Sequence, residues 1–334
     1  MTLLNNRPAT LSWSAAPGVD YPNLPAGIQT ARLVLGGGWT ARVLLRPREA
    51  APIPGMDGAV MTATTWTAWL RPPFTWHAPA DRRNVLKTSS TTLVTRVAMP
   101  LEPGRTLDVV CKRRVSRHWH KRLLAMIRVS RPRRTWRRAQ ALLNAGIPTA
   151  RPLAILERRR MGFLVDSLMI TEYLRHAVDL EAFLTVRLRD VDPQVQRRLK
   201  PRLADGLAAF VLQLQQAGFI HRDLKALNVI VQWDPESDAS PRISLVDLDG
   251  LRQSAAAAAR GHLRMLMRLN VSVDAFRRVS LADRARVLHR YLARAGRPRS
   301  EFKLLWRRLA DMSERKRAIR TRQQERAFKK YGRF

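Results

Sequence analysis

The order of patterns along the chain predicts an α+β protein in two parts. A small antiparallel sheet carrying one helix comes first, and a mainly helical part follows. Three observations predict it. From Asn84 onward, short apolar runs alternate with Pro/Gly turn signals, as strands do. One helical stretch interrupts them. After Tyr173 the apolar spacing changes to three and four residues, the period of a helix.

The elements follow in order. Residues 1–80 read as an N-terminal extension of unassigned role, rich in Pro, Gly, Ala and Trp. Within it Ala31 to Leu35, Gly36-Gly37-Gly38 and Trp39 to Leu45 predict a β-hairpin, and Pro47 to Gly58 a loop. Val60 to Trp76 carries three tryptophans and receives no assignment. Residues 81–174 form the sheet part. Its strands are predicted at Val85-Leu86-Lys87, Leu93 to Met99, Leu107 to Lys112, Leu153 to Leu156 and Leu164 to Glu172. A helix is predicted from Trp136 to Asn144, stopped by Gly146 and Pro148. Residues 175–334 form the helical part. Helices are predicted at Asp179 to Leu188 and at Gln194 to Ala217, with Gly218 as the stop. Two short strands, Val229 to Val231 and Ile243 to Val246, come next. Ser280 and Asp283 make a capping box for a helix reaching Ala295, and a basic helix or tail ends the chain.

With 334 residues, 46% of them hydrophobic in type, the chain can build real cores, which argues against disorder. One cysteine, Cys111, excludes a disulfide scaffold and points to a reducing compartment; it reads as a packed strand residue. No run is long and apolar enough for a membrane span, and the start carries no signal-peptide pattern. Lys+Arg outnumber Asp+Glu 61 to 26. From Lys112 to Arg160 there are 16 basic residues and one acid, Glu157. From Ser313 to Phe334 there are nine basic residues and two acids. That balance favours polyanionic company, of which an anionic membrane surface is the expected member. The run from Arg113 to Arg138, with Trp119 and Trp136 and an apolar stripe at Leu123, Leu124, Met126 and Ile127, suits such an interface. Nucleic acid is not expected, because no recognised module accompanies the charge. The histidines show no metal-ligand spacing, so no zinc site is read.

The chemistry concentrates in His221-Arg222-Asp223-Leu224-Lys225-Ala226-Leu227-Asn228 and in Asp247-Leu248-Asp249-Gly250. Apolar flanks place these polar residues at strand and helix edges. The first segment matches the catalytic loop of protein kinases residue for residue. In that pattern Asp223 accepts a proton from an acceptor hydroxyl, and Lys225 reaches the transferred phosphoryl group. Asn228, Asp247 and Asp249 offer oxygen ligands to Mg²⁺, with Mn²⁺ as an alternative ion.

A kinase needs further parts. Lys112, closing Val109-Val110-Cys111-Lys112, is the expected partner of the ATP α- and β-phosphates, with Lys87 as runner-up. The turn holding Ser89, Ser90 and Thr91 would cover the phosphates with hydroxyls and backbone N–H groups. Gly36-Gly37-Gly38 is a hairpin turn and not a phosphate loop. Met169 to Leu174 reads as the hinge, where the backbones of Glu172 and Leu174 would pair with adenine. Two features depart from protein kinases. No Asp or Glu occurs from Arg113 through Leu156, so the usual helix acid is missing and Gln140 is the nearest substitute. No Ala-Pro-Glu follows Asp247; the chain runs from Gly250 into Ala255 to Ala259 and a helix.

Together these segments resemble the bacterial lipopolysaccharide kinase (Kdo/WaaP) family over roughly Asn84 to Leu292. The carriers are the Ser/Thr turn with Lys112, the helix ending Leu142 to Thr149, the loop His221 to Asn228, and Asp247-x-Asp249 in place of Asp-Phe-Gly. The resemblance implies a protein-kinase-like bilobal fold: a small antiparallel sheet lobe with one helix and a mainly helical C-terminal lobe. It implies ATP- and Mg²⁺-dependent phosphorylation of a sugar hydroxyl on a lipopolysaccharide-core glycolipid, in the cytoplasm at the inner face of the membrane. Two alternatives stand beside it. One is a non-catalytic nucleotide-binding or membrane-associated scaffold of the same fold, and the other is a Ser/Thr protein kinase.

Overall fold

The structure of the protein is a computed structural model that describes residues 28–50, 59–70, 74, 84–89, 92–101, 104–115, 130–237 and 239–331. It divides into one unit from Met1–Asn144 with Ala150–Leu174, and a second from Ala145–Thr149 with Arg175–Phe334.

The first unit is a seven-stranded antiparallel sheet. In chain order its strands are β1 (Gln29–Gly36), β2 (Trp39–Leu45), β3 (Val85–Ser89), β4 (Thr92–Pro100), β5 (Thr106–Val115), β6 (Pro152–Arg160) and β7 (Phe163–Glu172). In space they run β1-β2-β6-β7-β5-β4-β3. On β5 the alternation is clean: Leu107, Val109 and Cys111 are buried, while Lys112 and Arg114 are exposed. Helix α1 (Ala63–Trp69) and helix α2 (Arg131–Asn144) belong to this unit. The arginine-rich start of α2 is part of the helix, five residues before the predicted Trp136. Ser130 begins it, its hydroxyl accepting the Arg133 N–H at 3.3 Å. Residues 116–129, which hold four of the eleven basic residues of the run read as a membrane face and all of its apolar stripe, lie outside the described residues.

The predicted hairpin is there, but it is no appendage. β2 pairs with β6 along Trp39 to Val43, so the hairpin is two strands of the main sheet. Two of the three unassigned tryptophans, Trp66 and Trp69, belong to its core, and Trp76 lies outside the described residues. Trp66 is fully buried, and its indole N–H donates to the Leu44 carbonyl at 2.8 Å; Trp69 and Phe74 are buried in the same cluster. Among the described residues the sheet unit therefore carries two helices where one was expected. The turn between β1 and β2 requires glycine: a Cβ on Gly38 would lie 2.6 Å from the Arg159 carbonyl oxygen.

The second unit holds α3 (Leu180–Thr185), α4 (Pro193–Gln216), α5 (Ala255–Val273), α6 (Leu281–Arg294) and α7 (Glu301–Tyr331). Asp192 caps α4 through the N–H groups of Gln194 and Val195, with Pro193 in the first turn. The capping box at Ser280 and Asp283 is formed. The helix predicted over Asp179 to Leu188 is cut short: Ala177–Asp179 is strand β8, α3 stops at Thr185, and a 3₁₀ turn follows at Arg187–Asp190. Strands β10 (Val229–Gln232) and β11 (Arg242–Leu245) form a three-stranded sheet with β8. A two-stranded ribbon, β9 (Phe219–His221) with β12 (Leu251–Gln253), brackets the motif segment. The chain after Gly250 thus forms a strand before its helix.

Candidate active site

Two structural elements bring the motif residues of the second unit together. β9 delivers His221, and the β10–β11 hairpin delivers Asn228 and Asp247. The Val246 N–H donates to the Asn228 carbonyl at 2.9 Å, and the Arg222 N–H donates to the Gly250 carbonyl at 2.9 Å. The segments 221–228 and 246–250 are thereby laced backbone to backbone.

His221 is the keystone. It is 1% exposed. Its Nδ1 accepts the Asp223 N–H at 3.3 Å, which leaves the proton on Nε2, 3.2 Å from the Asp247 carbonyl oxygen. Burial pushes its pKa below the ordinary histidine value, against the pull of the Asp247 carbonyl and the nearby carboxylates. A neutral imidazole with one fixed tautomer thus spaces the two segments. Gly250 leaves room for it, since a Cβ there would sit 3.1 Å from His221 Cε1 and 3.3 Å from the Asp223 backbone nitrogen. Helix α5 supports the loop from behind. Met265 Sδ accepts the His221 N–H at 3.4 Å, and Ser272 Oγ accepts the Ala226 N–H at 2.9 Å. Sequence reasoning gave neither residue a part, because nothing local links them to a loop over 40 positions earlier.

Asp223 points its carboxylate to solvent and pairs with Lys225 Nζ at 3.1 Å. Asn228 is buried and donates its Nδ2–H to the Asp223 carbonyl at 2.8 Å. That bond commits the amide nitrogen and leaves the amide oxygen as the free end. Asp247 is exposed and adopts φ 56°, a left-handed conformation uncommon for a non-glycine residue and typical of functional turns. Asp249 follows in a 3₁₀ turn, Leu248–Gly250. These are hard oxygen donors of the type Mg²⁺ takes. Among the described residues no three His, Cys, Asp or Glu side chains form a metal cluster by themselves. The donor set fits an ion that shares its coordination with phosphates and water.

The remaining predicted residues belong to the sheet unit. Lys112 lies mid-strand on β5, opposite Val94 on β4 and Met169 on β7, and is exposed. Ser89 ends β3, and its hydroxyl accepts the Thr92 N–H at 3.1 Å, closing the β3–β4 turn. Ser90 and Thr91 lie outside the described residues. Glu172 ends β7; its N–H donates to the Arg151 carbonyl at 2.9 Å and its carboxylate accepts the Arg151 N–H at 2.8 Å. Tyr173 is fixed by its N–H to the Asp108 carbonyl at 3.2 Å and by Arg96, 4.4 Å above its ring. Leu174 follows, half-buried.

Helix α2 carries no acid. Helix α2 supplies the cation, Arg133, whose guanidinium lies 3.0 Å from the buried carboxylate of Glu157 on β6. Gln140 is buried on α2, and its Nε2 has no hydrogen-bond partner.

The profile of the lipopolysaccharide kinase (Kdo/WaaP) family matches residues 88–291. Over 127 residues the chain is 32% identical to the lipopolysaccharide core heptose(I) kinase WaaP of Pseudomonas aeruginosa. That alignment covers 38% of this chain and 46% of the relative, so the chain spans about half the length of the curated protein it matches. Among solved structures, WaaP in complex with acyl carrier protein superposes with a TM-score of 0.51 at 24% identity, covering 77% of this chain and 98% of that one. The likeness shows a protein-kinase-like fold. With the profile covering well over half of the sequence, the chain belongs to the lipopolysaccharide kinase (Kdo/WaaP) family.

Proposed function

We propose that the chain is an ATP-dependent kinase that transfers the γ-phosphoryl group to a sugar hydroxyl of a lipopolysaccharide-core glycolipid. The observation that carries the reading is the exposed Asp223 carboxylate beside Lys225, on a loop braced by Asn228 and His221. Asp223 would take the hydroxyl proton as the acceptor oxygen bonds to the γ-phosphorus and the bond to the β-phosphate oxygen breaks, releasing ADP. Lys225 would turn its ammonium from Asp223 toward the transferred group. The Asn228 amide oxygen, Asp247 and Asp249 would hold Mg²⁺ or Mn²⁺, which when bound neutralises charge on the phosphates. Lys112 would contact the α- and β-phosphates, and the Ser89, Ser90 and Thr91 turn would cover them. The Glu172 carbonyl and the Leu174 N–H would meet adenine.

A basic surface would hold the enzyme at the cytoplasmic face of the inner membrane, near its anchored acceptor. Among the described residues no helix is long and apolar enough to cross a membrane. The solved neighbour is a complex with acyl carrier protein.

The scaffold alternative draws on one observation: α2 carries no acid, and its Gln140 is buried and neutral. A radiolabelled ATP transfer assay with core oligosaccharide, lipid and protein acceptors separates the readings. Transfer to the oligosaccharide should fall about 10²- to 10⁴-fold in Asp223→Asn while ATP binding persists. ATP binding by the wild type without transfer to any acceptor would favour the scaffold. Transfer to protein alone would favour the protein kinase.

A further inference from the structure

We propose that the groove between α6 and the first turn of α7 is a binding site for phosphate monoesters. This goes beyond the transfer reaction, because none of its lining residues belongs to the segments 221–228 or 247–249.

The groove encloses about 950 Å³. Arg286, His289 and Arg290 stand three and four residues apart on α6, so they share one face of that helix. Arg299, Ser300 and Lys303 close the other side from the turn before α7 and its first turn. Ala282 and Ala285 keep the floor small-sided, and His289 packs edge-on against Phe302 with ring centroids 6.2 Å apart. Four of the lining side chains are cationic and none is a carboxylate. The acids that answer these cations stand outside: Asp283 pairs with Arg286 at 3.1 Å and also with Lys200 at 3.2 Å, and Asp205 lies in the field of Arg290.

A chain with a large positive charge has many solvated arginines, so charge alone decides nothing. What sets this place apart is geometry. Arg290 on α6 and Arg299 and Lys303 at the start of α7 face one groove whose lining holds no carboxylate, and the Ser300 hydroxyl stands among them. The guanidinium fork matches phosphate oxygens in pairs, and a dianionic monoester satisfies more of these donors than a diester does. Four of the nine lining residues, from Arg299 to Lys303, lie beyond the part of the chain that the family profile matches, which ends at residue 291.

The experiment is binding by the full chain of inorganic phosphate, by calorimetry, and of phosphatidylcholine vesicles with or without phosphatidic acid, by co-sedimentation. The double variant Arg290→Gln/Lys303→Gln is compared with wild type and with Arg315→Gln/Arg322→Gln, which removes the same charge from the exposed part of α7. Vesicle binding should weaken about thirtyfold in the groove variant, since each cation at an anionic surface is worth on the order of 1 kcal/mol, and should change far less in the α7 variant. Groove-dependent binding of both probes assigns lipid-borne monoesters to the groove, and binding of inorganic phosphate alone assigns soluble ones. Equal weakening by the two variants, or groove-dependent binding to duplex RNA tighter than to either probe at matched salt, would overturn the proposal. The readout involves no turnover, so a catalytically silent chain still tests it.

Discussion

Asn228→Ala separates architecture from chemistry at the catalytic loop. Asn228 is 5% exposed, and its side chain donates to the Asp223 carbonyl at 2.8 Å. Truncation removes that bond and strands a carbonyl oxygen. An unmade bond of this kind costs roughly 1–3 kcal/mol. For a unit of this size that lowers the melting temperature by roughly 2–12 °C. The main-chain bonds of Asn228, to the Lys225 carbonyl and from the Val246 N–H, do not depend on its side chain, so the loop should loosen without unfolding. Asp223→Asn is the control. Its ion pair with Lys225 is about half exposed at both ends, and such pairs contribute about 0–1 kcal/mol. The expected order is a clear loss of stability in Asn228→Ala and almost none in Asp223→Asn, read by urea unfolding of both variants. Asn228→Asp adds a third point. It keeps an oxygen ligand but sets a second acceptor against the Asp223 carbonyl, so stability should fall while Mg·ATP binding, measured by calorimetry, survives better than in Asn228→Ala. If Asn228→Ala is as stable as wild type, or if Asp223→Asn is the less stable of the two, the bracing role assigned to Asn228 is wrong.

Three further outcomes are expected. His221 has a folded-state pKa depressed by burial, so the unfolded chain binds its proton more readily. Its contribution to stability is therefore complete above about pH 6.5 and declines as the pH falls below that value, and unfolding curves of wild type and His221→Gln should differ in slope against pH over that range alone. Trp66→Ala should destabilise the sheet unit by about 3–5 kcal/mol, because it empties a fully buried site and leaves the Leu44 carbonyl without its donor; a change below about 1 kcal/mol would mean that the hairpin segment is not part of the core. Asp247→Ala should remove metal-dependent nucleotide binding, and an unchanged affinity for Mg·ATP would move the ligand role to Asp249.

Local signals carried much of the fold. The capping box at Ser280 and Asp283 and the Gly218 stop after α4 are short-range patterns written within a few residues, and the structure contains both. The site motif was legible for the same reason: its polar residues stand at fixed offsets between apolar strands. Strands of three residues were not legible. β8, β9 and β12 are too short for an alternation to repeat and exist only because β10 or each other offers an edge to pair with. Residues 1–80 gave a hairpin and a cluster of tryptophans with nothing to attach them to. Only the pairing of β2 with β6, across more than a hundred residues of chain, makes the hairpin part of the sheet and Trp66 and Trp69 part of its core. The pair of Arg133 and Glu157, and the support of His221 by Met265 and of Ala226 by Ser272, are likewise contacts between distant segments. Amino-acid order determines which residues can turn, cap or alternate. Which strand edge is vacant, and which buried donor needs an acceptor, is decided only when the chain has closed on itself.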